Sequence, residues 1–256
     1  MQVIVGRDAT EIGEIAAGII ARRVEAGDLS VLGVATGSSP VPIYQSLAHR
    51  RPGRLSDLTV FALDEYVGLP FEHPQSYHSV IDKEVTVPLG LKRDRVNVPD
   101  GMATDLEKAC RQYEADIQAA GGIDMQILGV GTNGHIGFNE PTSSFTSRTR
   151  IKTLAQATRA DNARFFDDPN KVPIHCITQG LGTIMSARSI LLVAHGESKA
   201  APVARVVEGP VASMCPGSIL QMHPDATILV DEAAASGLTL VDYYRFAYDN
   251  RPDWQE

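Results

Sequence analysis

The sequence predicts an α/β protein with a single domain, in which helices cover both faces of a mostly parallel sheet. Short apolar runs alternate with longer amphipathic segments along the chain, and this alternation is typical of a parallel sheet. The apolar runs are continuous, as strands that are buried on both sides require. A length of 256 residues suits one or two domains. We find no linker, low-complexity tract or repeat, which favours one domain over residues 1–256.

The elements follow one another in a regular order. The apolar runs predict strands at 2–5, 31–35, 58–64, 124–131, 172–178, 189–195 and 226–231. Apolar residues at helical spacing predict helices at 9–26, from about Pro40, at 76–84, at 104–120, in a short stretch after 178, and at 197–208. The polar and basic segment 147–153 is typical of an edge strand or a surface segment.

Composition excludes several classes of function. A net charge of −8 disfavours a nucleic-acid binder or an anionic-lipid binder, since both need a basic face. No apolar run reaches the roughly 20 residues of a membrane span, and the first residues lack the layout of a signal peptide. We therefore expect a cytoplasmic protein without membrane contact. Cys110, Cys176 and Cys215 are far apart and form no metal-ligand spacing, so we expect reduced thiols and no disulfide framework or metal site.

Ligands of an open parallel sheet bind outside the carboxyl ends of the strands, and four predicted strand ends carry suitable side chains. After the second strand, the small residues Thr36, Gly37, Ser38 and Ser39 lead into a helix at Pro40. Reachable amides and the partial positive charge of a helix start suit a phosphate, with Ser39 as the expected N-cap. The alternative is a capped turn without a ligand.

Two further strand ends carry charged groups. Asp64 and Glu65 lie side by side at the end of strand 58–64, where a carboxylate is a candidate general base; the alternative is a pair of turn-capping acids. After strand 189–195, Lys199 falls in the first turn of a helix, where a cation opposes the helix dipole. An anion bound between the lysine and the positive end of the helix dipole would make this placement favourable. The alternative is a solvated lysine.

The loop after strand 124–131 matches the GxGxxG spacing of dinucleotide-binding proteins. No apolar-periodic helix follows, Pro141 interrupts the segment, and the region about 20 residues further on is basic rather than acidic. An NAD-dependent enzyme is therefore disfavoured. The loop instead places Asn133, His135 and Glu140 among glycines, and a histidine near a carboxylate is a tunable acid and base. The alternative is a loop histidine that the backbone satisfies.

These loops together offer an anion site, a carboxylate and a His/Glu pair, which a sugar phosphate undergoing proton transfer needs. At the same loops the sequence closely resembles the glucosamine-6-phosphate deaminase (isomerase) family. The segments that carry the resemblance span nearly the whole chain: ATGSSP (35–40), LDEYVGL (63–69), HPQSYHS (73–79), GVGTNGHIGFNEP (129–141), SRTRIKT (147–153), the segment around 162–166, HGESKA (195–200) and LQMHPDA (220–226). The family's Rossmann-like α/β fold agrees with the pattern above.

The resemblance implies that D-glucosamine 6-phosphate and water give D-fructose 6-phosphate and ammonia, in amino-sugar breakdown and without a cofactor. It implies that His135 opens the pyranose ring while Asn133 and Glu140 hold it, and that Asp64 moves a proton from C2 to C1. The groups that would bind the phosphate are the loop 36–39, Arg164 and Lys199.

Position 133 is occupied by aspartate in many members of the family and by asparagine in others. Asn133 carries no charge, although its carbonyl oxygen can accept a hydrogen bond from an imidazole. We therefore predict a lower pKa for His135 than in a relative with aspartate.

Regulation is a second implication of the resemblance. Some members are hexamers that N-acetylglucosamine 6-phosphate activates at a subunit interface. The residues that resemble this activator's phosphate site are Ser143, Arg150, Lys152 and Thr153. A solvated edge strand is the alternative, and the segment 238–256 is short for closing such a site, so activation and a hexameric or other homo-oligomeric state stay open.

Two other functions are weighed against the deaminase. A 6-phosphogluconolactonase shares the fold and a Gly-His loop, but ester hydrolysis needs no C2 base in the LDEYVGL context. A catalytically silent sugar-phosphate sensor usually carries a helix-turn-helix domain, for which this chain has no room. The joint presence of Asp64, His135 and Glu140 also favours catalysis over sensing.

Overall fold

Seven parallel strands form the centre of the fold, in the part of the chain that the computed structural model describes: residues 1–252, without the side chain of Pro169. The strands of this part are β1 (Gln2–Gly6), β2 (Val31–Val34), β3 (Thr59–Ala62), β4 (Asp64–Tyr66), β5 (Val96–Asn97), β6 (Met125–Leu128), β7 (Arg150–Thr153), β8 (His175–Thr178), β9 (Ser189–Ala194) and β10 (Ala226–Asp231). The order across the parallel sheet is β1-β10-β9-β6-β2-β3-β5. The predicted single α/β domain with a mostly parallel sheet is confirmed.

Helices connect the strands and flank the sheet. They are α1 (Ala9–Ala26), α2 (Val41–Arg50), α3 (Tyr77–Ile81), α4 (Val87–Leu89), α5 (Leu106–Ala119), α6 (Gln156–Asn162), α7 (Leu181–Ile184), α8 (Ala200–Val207), α9 (Glu232–Ala235) and α10 (Val241–Asp249). A π-helical turn, Asp82–Thr86, joins α3 to α4. Among residues 1–252, no helix is both long enough and apolar enough to cross a membrane.

Local sequence explains the main elements. Every residue of β2, β6 and β9 is buried, as their continuous apolar runs predict. Helix α1 begins where the Asp8 side chain accepts a hydrogen bond from the Glu11 amide, and it buries a stripe that includes Ile12, Ala16 and Ile20. Burying an isoleucine of this kind stabilises the fold by roughly 1.5–3 kcal/mol.

A second, antiparallel sheet lies beside the site described below. Its order is β4-β8-β7, with Asp64 opposite Thr178 on one side of β8 and Arg150 opposite the same residue on the other. The sequence pattern counted 172–178 among the strands of the parallel sheet, and that assignment is wrong. The predicted strand 58–64 likewise splits at Leu63 into β3 and β4, which belong to different sheets.

Several elements are longer than the pattern indicates, or are absent from it. The predicted helix 76–84 continues through the π-helical turn to Leu89. Helices α6, α9 and α10 and strand β5 were not predicted. Helix α10 lies inside the segment 238–256, of which the last four residues lie outside the described chain. The edge strand expected within 147–153 is β7, whose residues alternate between half-buried and exposed.

Candidate active site

A cavity of about 770 Å³ lies at the carboxyl ends of the strands. Its wall comes from the residues after β2, β3, β6 and β9, together with α6 and the turn that follows α6. The candidate residues that line this cavity are Thr36, Gly37, Ser38, Ser39, Asp64, His135, Arg164 and Lys199. The four strand ends that the sequence singled out therefore meet at one place.

The loop after β2 forms one wall of the cavity. The Tyr44 hydroxyl donates to the Ala35 carbonyl oxygen at 2.7 Å and accepts from the Ala35 amide at 3.1 Å, which fixes the end of the strand. Helix α2 begins at Val41 without a side-chain cap, and Pro40 already has helical φ and ψ angles of −82° and −12°. The prediction that Ser39 is the N-cap is wrong, because Pro40 takes that position.

Asp64 and Glu65 have different environments, because successive residues of a strand point to opposite sides. The Glu65 side chain is fully buried, and its carboxylate accepts hydrogen bonds from the Ser76 hydroxyl and the amides of Tyr77 and His78 at 2.8–2.9 Å. Glu65 thus anchors the start of α3. The pair of adjacent acids divides into one structural and one cavity-lining carboxylate.

The Asp64 side chain is 5% exposed and faces the cavity. Burial raises its pKa well above the usual range for a carboxyl, and the neighbouring charge of Glu65 adds to the effect. Within residues 1–252 no group donates a hydrogen bond to the Asp64 carboxylate. A carboxyl of this kind can both take up and return a proton near neutral pH.

His135 is oriented by an amide that links it to a carboxylate. Asn133 donates from Nδ2 to the Glu140 Oε2 atom at 2.7 Å, and its Oδ1 atom lies 2.7 Å from Nδ1 of His135. The direct distance from Nδ1 to Glu140 Oε2 is 3.8 Å, which is too long for a hydrogen bond. Asn133 and Glu140 do not line the cavity; they lie behind the imidazole and position it.

This chain of contacts fixes the tautomer of His135. Because the Asn133 Nδ2 group donates to a carboxylate, its Oδ1 atom must accept from the imidazole, so the proton of neutral His135 is on Nδ1. Nε2 then carries a free lone pair. Burial lowers the pKa of His135; Lys199 lowers it further, while the Glu140 charge raises it.

A glycine makes room for the imidazole. A Cβ atom on Gly131 would lie only 2.1–2.3 Å from three atoms of the His135 ring. The glycine-rich loop therefore serves close packing rather than nucleotide binding.

Two cations lie in the cavity. The Lys199 ammonium donates to the Val130 carbonyl oxygen at 2.7 Å, and burial followed by the charge of Arg164 lowers its pKa. Lys199 is the N-cap of α8 rather than a residue of its first turn, because a 3₁₀ turn precedes the helix. Arg164 is exposed in the turn after α6, with its guanidinium carbon 4.7 Å from the ring centre of Phe165. Among residues 1–252 no three His, Cys, Asp or Glu side chains are grouped to hold a metal ion.

Residues 7–229 match the family model described as glucosamine-6-phosphate isomerases/6-phosphogluconolactonase. The chain belongs to this family. It is 56% identical over 257 residues to the glucosamine-6-phosphate deaminase of Pseudarthrobacter chlorophenolicus, a match that covers 100% of this chain and 99% of that protein. It is 54% identical over 259 residues to the glucosamine-6-phosphate deaminase of Streptomyces coelicolor, with the same coverage.

Solved structures in the family extend the comparison. A monomeric glucosamine-6-phosphate deaminase superposes with a TM-score of 0.89 at 40% identity, covering 93% of this chain and 100% of that one. The 6-phosphogluconolactonase of Thermotoga maritima superposes with a TM-score of 0.72 at 18% identity, covering 90% and 99% of the two chains. At that identity the second likeness shows the shared fold alone.

The four residues that resemble the family's activator site lie outside the cavity. Arg150 and Lys152 are half-buried on one side of β7, and strand alternation turns Thr153 to the other, exposed side. Ser143 is buried, and its hydroxyl has no hydrogen-bond partner in the described chain. The structure therefore brings Arg150 and Lys152 to one side of β7.

Sequence reasoning missed several residues of the cavity wall. Tyr66 and Tyr77 line it, and their hydroxyls are 3.4 Å apart. Asn162 on α6 donates to the Tyr66 hydroxyl at 3.0 Å, which ties this helix to β4. The HPQSYHS segment signalled Tyr77 only through the family resemblance. His195, in the same loop as Lys199, also lines the cavity.

Proposed function

We propose that this chain is a glucosamine-6-phosphate deaminase, which converts D-glucosamine 6-phosphate and water to D-fructose 6-phosphate and ammonia. The observation that carries the proposal is the cavity in which an unpaired buried carboxyl, Asp64, and an oriented imidazole, His135, share a wall with Lys199 and Arg164. More than half of the residues are identical to those of proteins named for this activity, over the full chain.

Ring opening is assigned to His135. Opening the pyranose moves a proton from the C1 hydroxyl to the ring oxygen. The free lone pair of Nε2 accepts the proton of the C1 hydroxyl, and the same nitrogen then donates it to the ring oxygen. Asn133 and Glu140 hold the tautomer that leaves Nε2 available.

Isomerisation is assigned to Asp64. The carboxylate removes the proton from C2 of the open-chain sugar, and the electron pair of that bond forms the C1–C2 double bond of an enolamine as O1 takes up a proton from the substrate's ammonium group. Asp64 then returns its proton to C1, which leaves an imine at C2. Water adds to this imine, the C2–N bond breaks, and ammonia and the ketose are released. The raised pKa of Asp64 suits a group that must take up and return a proton.

Phosphate binding is assigned to the cationic end of the cavity. Lys199 and Arg164 supply positive charge, and the loop 36–39 supplies small side chains and backbone amides in front of α2. No nucleic acid or membrane partner is proposed. The three cysteines are free and buried, which supports our proposal of a cytoplasmic, reducing location.

The test measures ammonia and fructose 6-phosphate released from glucosamine 6-phosphate, without added metal or nucleotide. We expect equal amounts of the two products from the wild type. Asp64→Asn should lower kcat by roughly 10²–10⁴-fold, because an amide cannot act as the base. Asp94→Asn is the matched control, since Asp94 is exposed and does not line the cavity.

The outcomes separate the candidate functions. Product formation that survives in Asp64→Asn would overturn the role of Asp64 and keep the reaction. Binding of the sugar phosphate without turnover by wild type would favour the sensor. Hydrolysis of 6-phosphogluconolactone in place of deamination would favour the lactonase, although the likeness to the Thermotoga maritima lactonase, at 18% identity, shows the fold alone.

We further propose that N-acetylglucosamine 6-phosphate activates the enzyme at β7 in a homo-oligomer such as a hexamer. The pairing of Arg150 and Lys152 on one side of an edge strand supports an anion site there. A monomeric deaminase among its relatives makes the opposite outcome a real alternative. Hyperbolic kinetics that the activator does not change, together with a monomeric mass in light scattering, would overturn this proposal; activation that Arg150→Ala abolishes would support it.

A further inference from the structure

The loop after β9 carries a second basic side chain besides Lys199. His195 is half-buried and lines the cavity, and its Nε2 atom lies 3.4 Å from the Ser38 carbonyl oxygen. Ser38 belongs to the loop after β2 that we assign to the phosphate. The histidine therefore lies where that loop and the loop after β9 meet.

The conformation of this loop is held by two further contacts. The Gly196 amide donates to both carboxylate oxygens of Asp231, at 3.0 and 3.1 Å, at the end of β10. Lys199 reaches in the other direction to the Val130 carbonyl oxygen after β6. His195 thus contacts the loop after β2, and Lys199 contacts the loop after β6. Both side chains line the same cavity.

We propose that His195 is a further phosphate-binding residue of this cavity, an inference that rests on the proposed function. The single N–H of the neutral imidazole is turned toward the Ser38 carbonyl oxygen, so its other nitrogen presents a lone pair, which repels an anion. A second proton converts that nitrogen into a charged donor for a phosphate oxygen. Histidine is the side chain that ordinarily gains this proton between about pH 5 and 8.

Charged groups of both signs lie on the loop that carries His195 and on the cavity wall. On its own loop are Glu197 and Lys199, and beyond it is Asp231 on β10. Arg164 and Asp161 lie on the cavity wall. The remaining titratable groups of that wall are Asp64, Tyr66, Tyr77, Glu84 and His135. A bound phosphate adds negative charge among these groups.

The test compares His195→Gln with wild type. Glutamine retains a donor for the Ser38 carbonyl oxygen but carries no charge. We expect the KM for glucosamine 6-phosphate to rise about five-fold at about pH 6 and to match the wild type at about pH 8.5, with a smaller change in kcat. The inhibition constant of inorganic phosphate should rise by the same factor. Since both proteins are compared at one pH, the ionisation of the ligand cancels.

Two other variants complete the experiment. His195→Leu also removes the donor to the Ser38 carbonyl oxygen. If the KM rises at both pH values in His195→Leu but only at the lower pH in His195→Gln, the charge and the hydrogen bond of His195 have separate roles. His49→Gln is the matched control, because His49 is exposed on α2, where its Nδ1 atom lies 2.7 Å from the Gln45 carbonyl oxygen. Its KM should equal that of wild type throughout.

A KM ratio between His195→Gln and wild type that is the same at both pH values would assign His195 a purely structural role and overturn the proposal. So would a change in the KM of the sugar phosphate without a change for inorganic phosphate, because the contact would then be to the sugar. If wild type releases no fructose 6-phosphate, the proposed function fails, and calorimetric binding of inorganic phosphate to wild type and His195→Gln still decides the role of His195.

Discussion

Replacing Asn133 with aspartate should raise the pKa of His135. The Asn133 Oδ1 atom lies 2.7 Å from the imidazole Nδ1 atom, so aspartate places a negative charge beside the protonated ring. Two unit charges about 4 Å apart interact by about 4 kcal/mol at an effective dielectric constant of about 20, or roughly 3 pKa units.

Glu140 reduces this effect. Its Oε2 atom lies 2.7 Å from the Asn133 Nδ2 atom, where aspartate has its second oxygen. Two carboxylates at that distance share a proton over part of the pH range, so only part of the new charge acts on His135. We therefore expect an upward shift of about 1–2 pKa units in Asn133→Asp.

Two assays measure the shift. An NMR titration of ¹⁵N-labelled imidazoles follows the His135 signal, which His135→Gln assigns by its loss. The acid limb of kcat/KM should move to higher pH by the same amount, because ring opening uses the neutral imidazole. Asn162→Asp is the control, since it adds a carboxylate to the cavity wall at a residue whose amide contacts Tyr66 instead of His135. An unmoved pKa in Asn133→Asp, or an equal shift in the control, would refute the reasoning.

Three further predictions concern stability and packing. Glu65→Gln should cost roughly 2–4 kcal/mol of unfolding free energy in urea, because the amide nitrogen faces donors that need an acceptor; unchanged stability would contradict the anchoring role. Gly131→Ala should lower kcat by roughly 100-fold by displacing the His135 ring, while Gly129→Ala, whose Cβ would lie 3.7 Å from the Ser39 Cβ, should not. Because burial raises the pKa of Asp64 in the folded protein, its ionisation lowers stability as pH rises above about 4. In urea denaturation, Asp64→Asn should therefore have a higher unfolding free energy than wild type at neutral pH, and the difference should shrink toward about pH 4. A difference that does not depend on pH would contradict this.

Most of the α/β alternation could be read from the chain because it depends on local periodicity. The runs that became β2, β6 and β9 are apolar except for Gln126 and Ser189, as strands buried on both faces require. The strand ends also located the cavity, because parallel strands bring their carboxyl ends to one edge of the sheet. Arg164 was found only through the family resemblance, because an exposed arginine in a short turn carries no periodic signal.

The sequence by itself determined the fold class, the loops that meet at the cavity and the candidate roles of Asp64, His135 and Lys199. Only the tertiary structure decided that Glu65 anchors α3 while Asp64 faces the cavity, that β4 and β8 leave the parallel sheet for an antiparallel one, and that His195 contacts the loop after β2. The physical reason is that these assignments depend on hydrogen bonds between residues far apart in the chain. Such pairings leave no trace in the spacing of neighbouring residues, whereas burial of a strand or helix face sets the local composition directly.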